Sequence, residues 1–166
     1  GLLTKAKRVV SWCPRCSTAL AEAEVEYKGK EDPSIYVKFP LKGKKEYLIV
    51  WTTTPWTLIA NRAVAANPYL EYVKAVVKNK EKEKWITLKS TLDQILEKSG
   101  YELIEIEEEF KGKDLKLSYI PPFGDKELKV LEGEFVAGEN SGMVHIAPGH
   151  GEDDYRLGLE HDLEIY

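Results

Sequence analysis

The chain has 166 residues, 43% of them hydrophobic and 31% charged, which is the composition of one folded domain and not of a disordered tail. With 24 Lys and Arg against 28 Asp and Glu the net charge is −4. That excludes a protein coating nucleic acid through bulk positive charge, but not one that receives only the end of a nucleic acid. No apolar run approaches the roughly 18 residues of a membrane span, so no membrane partner is expected.

The chain starts Gly1-Leu2-Leu3-Thr4-Lys5, with neither an initiator Met nor a signal-peptide apolar core, and both ends read as cut from something longer. The only two cysteines stand together in Trp12-Cys13-Pro14-Arg15-Cys16, a knuckle-like turn. They are too few and too close for an extracellular disulfide framework, so an intracellular, cytoplasmic setting is expected. Tetrahedral zinc needs a full set of ligands, and Cys13 with Cys16 is half of one. The pair is either half of a zinc site completed elsewhere in a longer protein or a redox dithiol without its usual setting. Residues 1–32, closing on the polar break Lys28-Gly29-Lys30-Glu31-Asp32, read as a stem, and residues 33–166 as the main domain. A bias towards Lys and Glu, with one Met and two Cys, runs in the direction of hyperthermophile proteins.

From Ser34 onward the apolar period is mostly two, predicting strands over 35–39 and 47–51 joined as a hairpin by Lys42-Gly43-Lys44-Lys45. Further strands are predicted over 63–66, 72–77 and 85–88. The lysine-rich turns between them read as a solvated face, with phosphate contact the minority alternative. Leu92, Ile95 and Leu96 repeat at helical spacing between a capping Thr91 and a stopping Gly100. Strands resume over 102–106, 117–120, 127–131 and 143–146. A second helix opens at Gly151, where Glu152, Asp153 and Asp154 suit the positive end of its dipole. Many short strands with turn punctuation predict a mainly β, α+β fold with peripheral helices, built as a closed or nearly closed β-barrel.

Two further segments carry chemistry. In Trp51-Thr52-Thr53-Thr54-Pro55-Trp56-Thr57-Leu58, three threonines at a strand end are stopped by a proline. Their hydroxyls and free amides can bind an ester carbonyl or a ribose hydroxyl, or hold a water. The plain alternative is a threonine-rich strand terminus. In Val144-His145-Ile146-Ala147-Pro148-Gly149-His150-Gly151 followed by Glu152-Asp153-Asp154, a strand ends in a loop that opens an acidic helix. This can bring His145 and Asp154 to one cavity, where a carboxylate attracts an ammonium group. A hydrogen-bonded core histidine and first-turn dipole partners are the alternatives. No nucleophile elbow, phosphate-binding glycine loop or His-Glu-x-x-His signature is present.

Together these segments resemble the editing domain inserted in class I aminoacyl-tRNA synthetases of the isoleucine, valine and leucine group, over about residues 12–155. The Cys13–Cys16 stem is shared by the isoleucine and valine branches. The Trp51–Leu58 peptide with Asn61, and Val144-His145-Ile146-Ala147-Pro148, resemble the isoleucine branch. Two positions depart from the usual pattern: Asn140-Ser141-Gly142 stands where Gly-Thr-Gly is customary, and Ile59 replaces a proline before Ala60-Asn61.

The resemblance implies hydrolysis of the ester joining valine to the 3′ end of isoleucine tRNA. A hydrophobic pocket discriminates one methylene by only about 1–3 kcal/mol, a figure for which isoleucine against valine in this family is itself the standard example. A second, smaller pocket removes the error. The resemblance implies that Asp154 grips the α-ammonium and that Thr52, Thr53 and Thr54 surround the ester and position water. It makes Asn61 a supporting polar residue, and His145 and Trp56 walls around the amino-acid side chain. The implied attack is by water directly, with no cofactor or metal in the pocket, and with zinc at Cys13 and Cys16 only in the intact protein. The implied partners are the isoleucine tRNA 3′ end carrying valine and the remainder of the synthetase chain, in a monomer. The alternative is a non-catalytic zinc-knuckle module that binds tRNA or protein. A threonyl-ester specificity of the valine type is disfavoured by the threonine peptide and His145.

Overall fold

Alternating burial along single strands shows how this sequence builds two sheets with cores on both faces. The computed structural model describes residues 2–29 and 31–165, so Lys30 of the predicted polar break lies outside the described residues, as do Gly1 and Tyr166. A small antiparallel hairpin, β1 (Trp12–Cys13) with β2 (Thr18–Ala19), carries the cysteine turn. The predicted hairpin forms from β3 (Ile35–Pro40) and β4 (Glu46–Thr52), pairing from Ile35 with Thr52 to Pro40 with Tyr47. Then follow β5 (Ala63–Ala66), β6 (Glu71–Lys78), β7 (Lys82–Leu88), α1 (Leu92–Ser99) and β8 (Glu102–Lys111). The chain continues through β9 (Ser118–Tyr119), β10 (Leu128–Glu132), β11 (Met143–Ile146) and α2 (Glu152–Glu160).

One sheet has five strands in the order β3-β4-β7-β6-β8, and the other four in the order β11-β5-β10-β9. In β4, Leu48 and Val50 face the second sheet, whereas Ile49 faces the opposite way. The same alternation puts Tyr72 of β6 between the sheets and Val73, Ala75 and Val77 against α1. The four-stranded sheet is likewise double-faced: Val64 and Ala66 join the inter-sheet core, while Ala63 and Ala65 pack with Ile146 and with Leu157 of α2. The layers therefore run α1, five-stranded sheet, four-stranded sheet, α2. Burying both faces of the central strands stabilises by about 25 cal/mol per Å² of apolar surface removed from water.

The closed or nearly closed barrel expected from the strand pattern does not form. Among the described residues β3 and β8 are the outer strands of one sheet and β11 and β9 of the other, and no ladder joins the two sheets into a closed wall. Among the described residues the sheets meet in an isolated bridge between Leu41 and Tyr119. The strands are instead divided between two stacked sheets, with β4 parallel to β7 in one and β5 parallel to β10 in the other. Parallel neighbours need crossovers, and here each crossover passes through the other sheet, since β5 lies between β4 and β7 in the chain and β6 to β8 lie between β5 and β10.

The α1 prediction holds in its apolar face and its stop, since Leu92, Ile95 and Leu96 are buried and Gly100 takes φ 69°. Thr91, however, makes no capping bond to the helix, and its hydroxyl donates to the Leu88 carbonyl instead. The lysine turns lie in ion pairs that include Lys42 with Glu127 and Lys45 with Glu81. No helix of the described residues is long and apolar enough to cross a membrane.

Candidate active site

β4 ends at Thr52, and Pro55 opens a short 3-10 helix over Pro55–Ala60, as its fixed φ and missing N–H favour at a first helical position. The intervening turn is held by its own hydroxyls. The Thr54 amide donates to Thr52 Oγ1 at 3.0 Å, and the Thr52 and Thr54 hydroxyls stand 3.3 Å apart. Thr57 Oγ1 donates to the Thr54 carbonyl at 2.8 Å and lies 2.9 Å from His145 Nε2. A hydroxyl has one proton. When that proton goes to the Thr54 carbonyl, Thr57 accepts from a ring protonated at Nε2. His145 Nδ1 is buried with no hydrogen-bond partner among the described residues.

His145 is borne by β11 opposite Val64 of β5, on the same face as the core residue Met143. That face looks towards the five-stranded sheet and the threonine peptide. The ring is only 8% exposed. Burial depresses its pKa to about 4, with the nearby His150 ring adding to the effect. It is therefore a neutral, buried ring at physiological pH, hydrogen-bonded to Thr57.

Asp154 sits in the first turn of α2. Its Oδ1 accepts from the Ala147 amide at 2.7 Å, which folds the carboxylate back over the strand-to-helix loop. A Cβ on Gly151, which precedes the helix, would collide with the Asp154 Oδ2, so the close approach depends on that glycine. Burial raises the Asp154 pKa, while the amides of Ala147 and of Asp154 itself pull it back down and Asp153 adds to the rise. Of the three carboxylates in this turn, Asp153 points to a different cleft and pairs with Arg156. Glu152 is exposed.

These elements enclose a cavity of about 340 Å³. Trp51, Thr52, Thr53, Thr54 and Thr57 form one side, and His145, Ala147, His150 and Asp154 the other. The structure thus brings Thr52, Thr53, Thr54, His145 and Asp154 to one place. Trp56 lines the same cavity but is 70% exposed, a position at the rim and not inside. Asn61 is not brought to the cavity. It is buried, with Nδ2 donating to the Ala63 carbonyl at 2.8 Å and Oδ1 accepting from the Tyr119 hydroxyl at 2.5 Å. Its amide secures β5 against β9, and burial keeps Tyr119 protonated.

Thr57 and His150 were not singled out from the sequence. Thr57 had a usable signal, because residues three apart in a 3-10 helix lie on one face, and Thr54 stands three before it. His150 had none, being a lone histidine between glycines.

The cysteine hairpin is a separate feature. The Cys16 amide donates to Cys13 Sγ at 3.4 Å, and this bond, with others from Cys16 and Arg15, lowers the Cys13 pKa. Amide-stabilised sulfur in a tight turn suits a metal-binding thiolate. Two thiols are two of the four ligands that tetrahedral zinc takes, and among the described residues no group of three or more His, Cys, Asp or Glu could hold a metal.

A family profile described as the leucyl-tRNA synthetase editing domain matches residues 29–166. The chain is 51% identical over its whole length to the isoleucine–tRNA ligase of Archaeoglobus fulgidus and 50% identical to that of Pyrococcus horikoshii. It spans 17% of each of those proteins. Among solved structures it resembles the P. knowlesi cytosolic leucyl-tRNA synthetase editing domain, with TM-score 0.61 at 17% identity over 70% of this chain and 52% of that one. It also resembles the structure titled GlLeuRS-CP1, with TM-score 0.59 at 20% identity over 69% of this chain and 44% of that one. With the profile covering most of its residues, the chain belongs to the leucyl-tRNA synthetase editing-domain family.

Proposed function

We propose that this chain is the editing domain of an isoleucyl-tRNA synthetase and hydrolyses valyl esters on the isoleucine tRNA. Support comes from the whole-chain similarity to isoleucine–tRNA ligases. The observation that carries the reading is the convergence of the threonine peptide, His145 and Asp154 on one small cavity.

Asp154 is anchored through Oδ1, and its charge is the partner for the α-ammonium of the bound aminoacyl group. Thr52, Thr53 and Thr54 hold the ester and the terminal ribose and orient a water towards the carbonyl carbon. Water adds to that carbon, the tetrahedral intermediate collapses, and the bond to the ribose oxygen breaks, releasing valine and a free 3′ hydroxyl. Hydroxyls and amides at a fixed position stabilise the oxyanion without reorganising. His145, neutral and held by Thr57, is the wall that excludes the extra methylene of isoleucine, and Trp56 covers the side chain from the rim. Residues 1–32 act as the stem and 33–166 as the editing domain of a cytoplasmic, monomeric synthetase. Cys13 and Cys16 supply half of a zinc site completed by the rest of that chain.

The test is deacylation by the intact synthetase of isoleucine tRNA carrying either amino acid. Valyl-tRNA should be hydrolysed much faster than isoleucyl-tRNA, whereas equal rates or no hydrolysis of either would refute the assignment.

A further inference from the structure

β4, which leads into the threonine peptide, and β11, which carries His145, belong to different sheets and share no backbone ladder. Contacts other than a shared ladder therefore set the width of the cavity between them. One of these stands outside the cavity, at Ser141. This residue is completely buried. Its Oγ accepts from the Trp51 amide at 3.0 Å and donates to the Met143 carbonyl at 3.0 Å. Trp51 immediately precedes Thr52, and Met143 lies two residues before His145 on the same strand face. One hydroxyl thus joins the roots of the two walls.

The backbone around it is built to hold that hydroxyl in place. Asn140 and Gly142, on either side, both take left-handed conformations, with φ of 52° and 62°. The Ser141 carbonyl accepts from the Leu88 amide at 3.0 Å, and the Gly142 carbonyl accepts from the Tyr72 hydroxyl at 2.5 Å. The loop is fastened to β6 and β7 as well, so Ser141 presents its hydroxyl from a fixed support.

We propose that Ser141 is a positioning residue that sets the spacing between the threonine peptide and His145, and so the size limit of the amino-acid subsite. It touches no substrate and acts through the two strands it joins. The inference rests on the editing reading above. Removing the hydroxyl unties the Trp51 amide from the Met143 carbonyl while the bonds from Leu88 and Tyr72 keep the loop in place, so the end of β4 is left to shift relative to β11. Displacements of this kind change rates by up to about a hundredfold.

The experiment compares wild type, Ser141→Ala and Ser141→Thr in the intact synthetase, measuring kcat and KM for valyl-tRNA and isoleucyl-tRNA deacylation alongside thermal stability. Ser141→Ala should lower the valyl-to-isoleucyl ratio of kcat/KM by about tenfold or more, and Ser141→Thr, which keeps the hydroxyl, should restore it. If Ser141→Ala does not accumulate as folded protein, Ser141→Cys, which puts a slightly larger and weakly hydrogen-bonding group in the same place, weakens both bonds and should lower the same ratio. An unchanged ratio with only a lower melting temperature would reduce Ser141 to a structural residue and overturn the proposal, as would a threonine variant no better than alanine. Wild-type protein that fails to discriminate the two esters would instead overturn the editing reading itself.

Discussion

Replacing His145 with alanine tests the size filter directly. The imidazole is 8% exposed and tied to Thr57 at 2.9 Å, so it cannot swing aside for a larger ligand. Forcing one extra methylene against such a wall costs about 1–3 kcal/mol. Alanine removes far more volume than one methylene, so that whole penalty should vanish for isoleucine. At about 1.4 kcal/mol per factor of ten, the relative rate for isoleucyl-tRNA should rise roughly 5- to 150-fold. Thr57 keeps its bond to Thr54 in the variant, so no buried hydroxyl proton is stranded and the threonine turn should persist. The assay is kcat/KM for deacylation of both esters by the intact synthetase. A variant that loses valyl hydrolysis and still spares the isoleucyl ester would place His145 in the hydrolytic machinery and refute the size-filter role.

Asp154→Asn keeps an oxygen for the Ala147 amide but removes the charge, so the fold should persist while kcat/KM for valyl-tRNA falls about 10- to 150-fold, the worth of a charged hydrogen bond of about 1.5–3 kcal/mol. Near-normal deacylation would move the ammonium contact to another group. His145, with a folded pKa of about 4 against 6.5 unfolded, binds fewer protons when folded, so its stabilisation is complete above pH 6.5 and is lost as pH falls towards 4. Relative to His145→Gln, urea titrations of this chain should show wild type losing about 2 kcal/mol between pH 7 and about pH 5. Identical pH profiles for the two proteins would contradict the burial effect. Cys13 and Cys16 alone should not hold zinc tightly, so metal analysis should find zinc in the intact synthetase and not in this chain; stoichiometric, tight zinc in the chain alone would contradict the half-site.

Local pattern was legible and long-range closure was not. The alternation in Tyr47-Leu48-Ile49-Val50-Trp51 announced β4, and the spacing of Leu92, Ile95 and Leu96 announced α1. Nothing local announces that β4 runs parallel to β7, or that β5 leaves for a second sheet between them. β8 was expected to end at Ile106 but continues to Lys111. Its acidic run looks unlike a strand until Lys84, Lys74 and Lys89 are seen to pair with Glu107, Glu108 and Glu109. At the site, the threonines, His145 and Asp154 stood out because their residue types suited the chemistry. Asn61 looked equally suitable, yet a buried amide can serve a tyrosine and a backbone carbonyl as well as a ligand. Ser141 was visible only as a departure from a motif, because its importance lies in what its hydroxyl joins across two sheets.

The most direct test of the central claim is a structure of the intact synthetase with a non-hydrolysable valyl-adenosine analogue. The α-ammonium should lie within hydrogen-bond reach of the Asp154 carboxylate, the isopropyl group against His145, and the ribose beside Thr52, Thr53 and Thr54. An analogue bound outside this cavity, or one whose side chain points away from His145, would contradict the account.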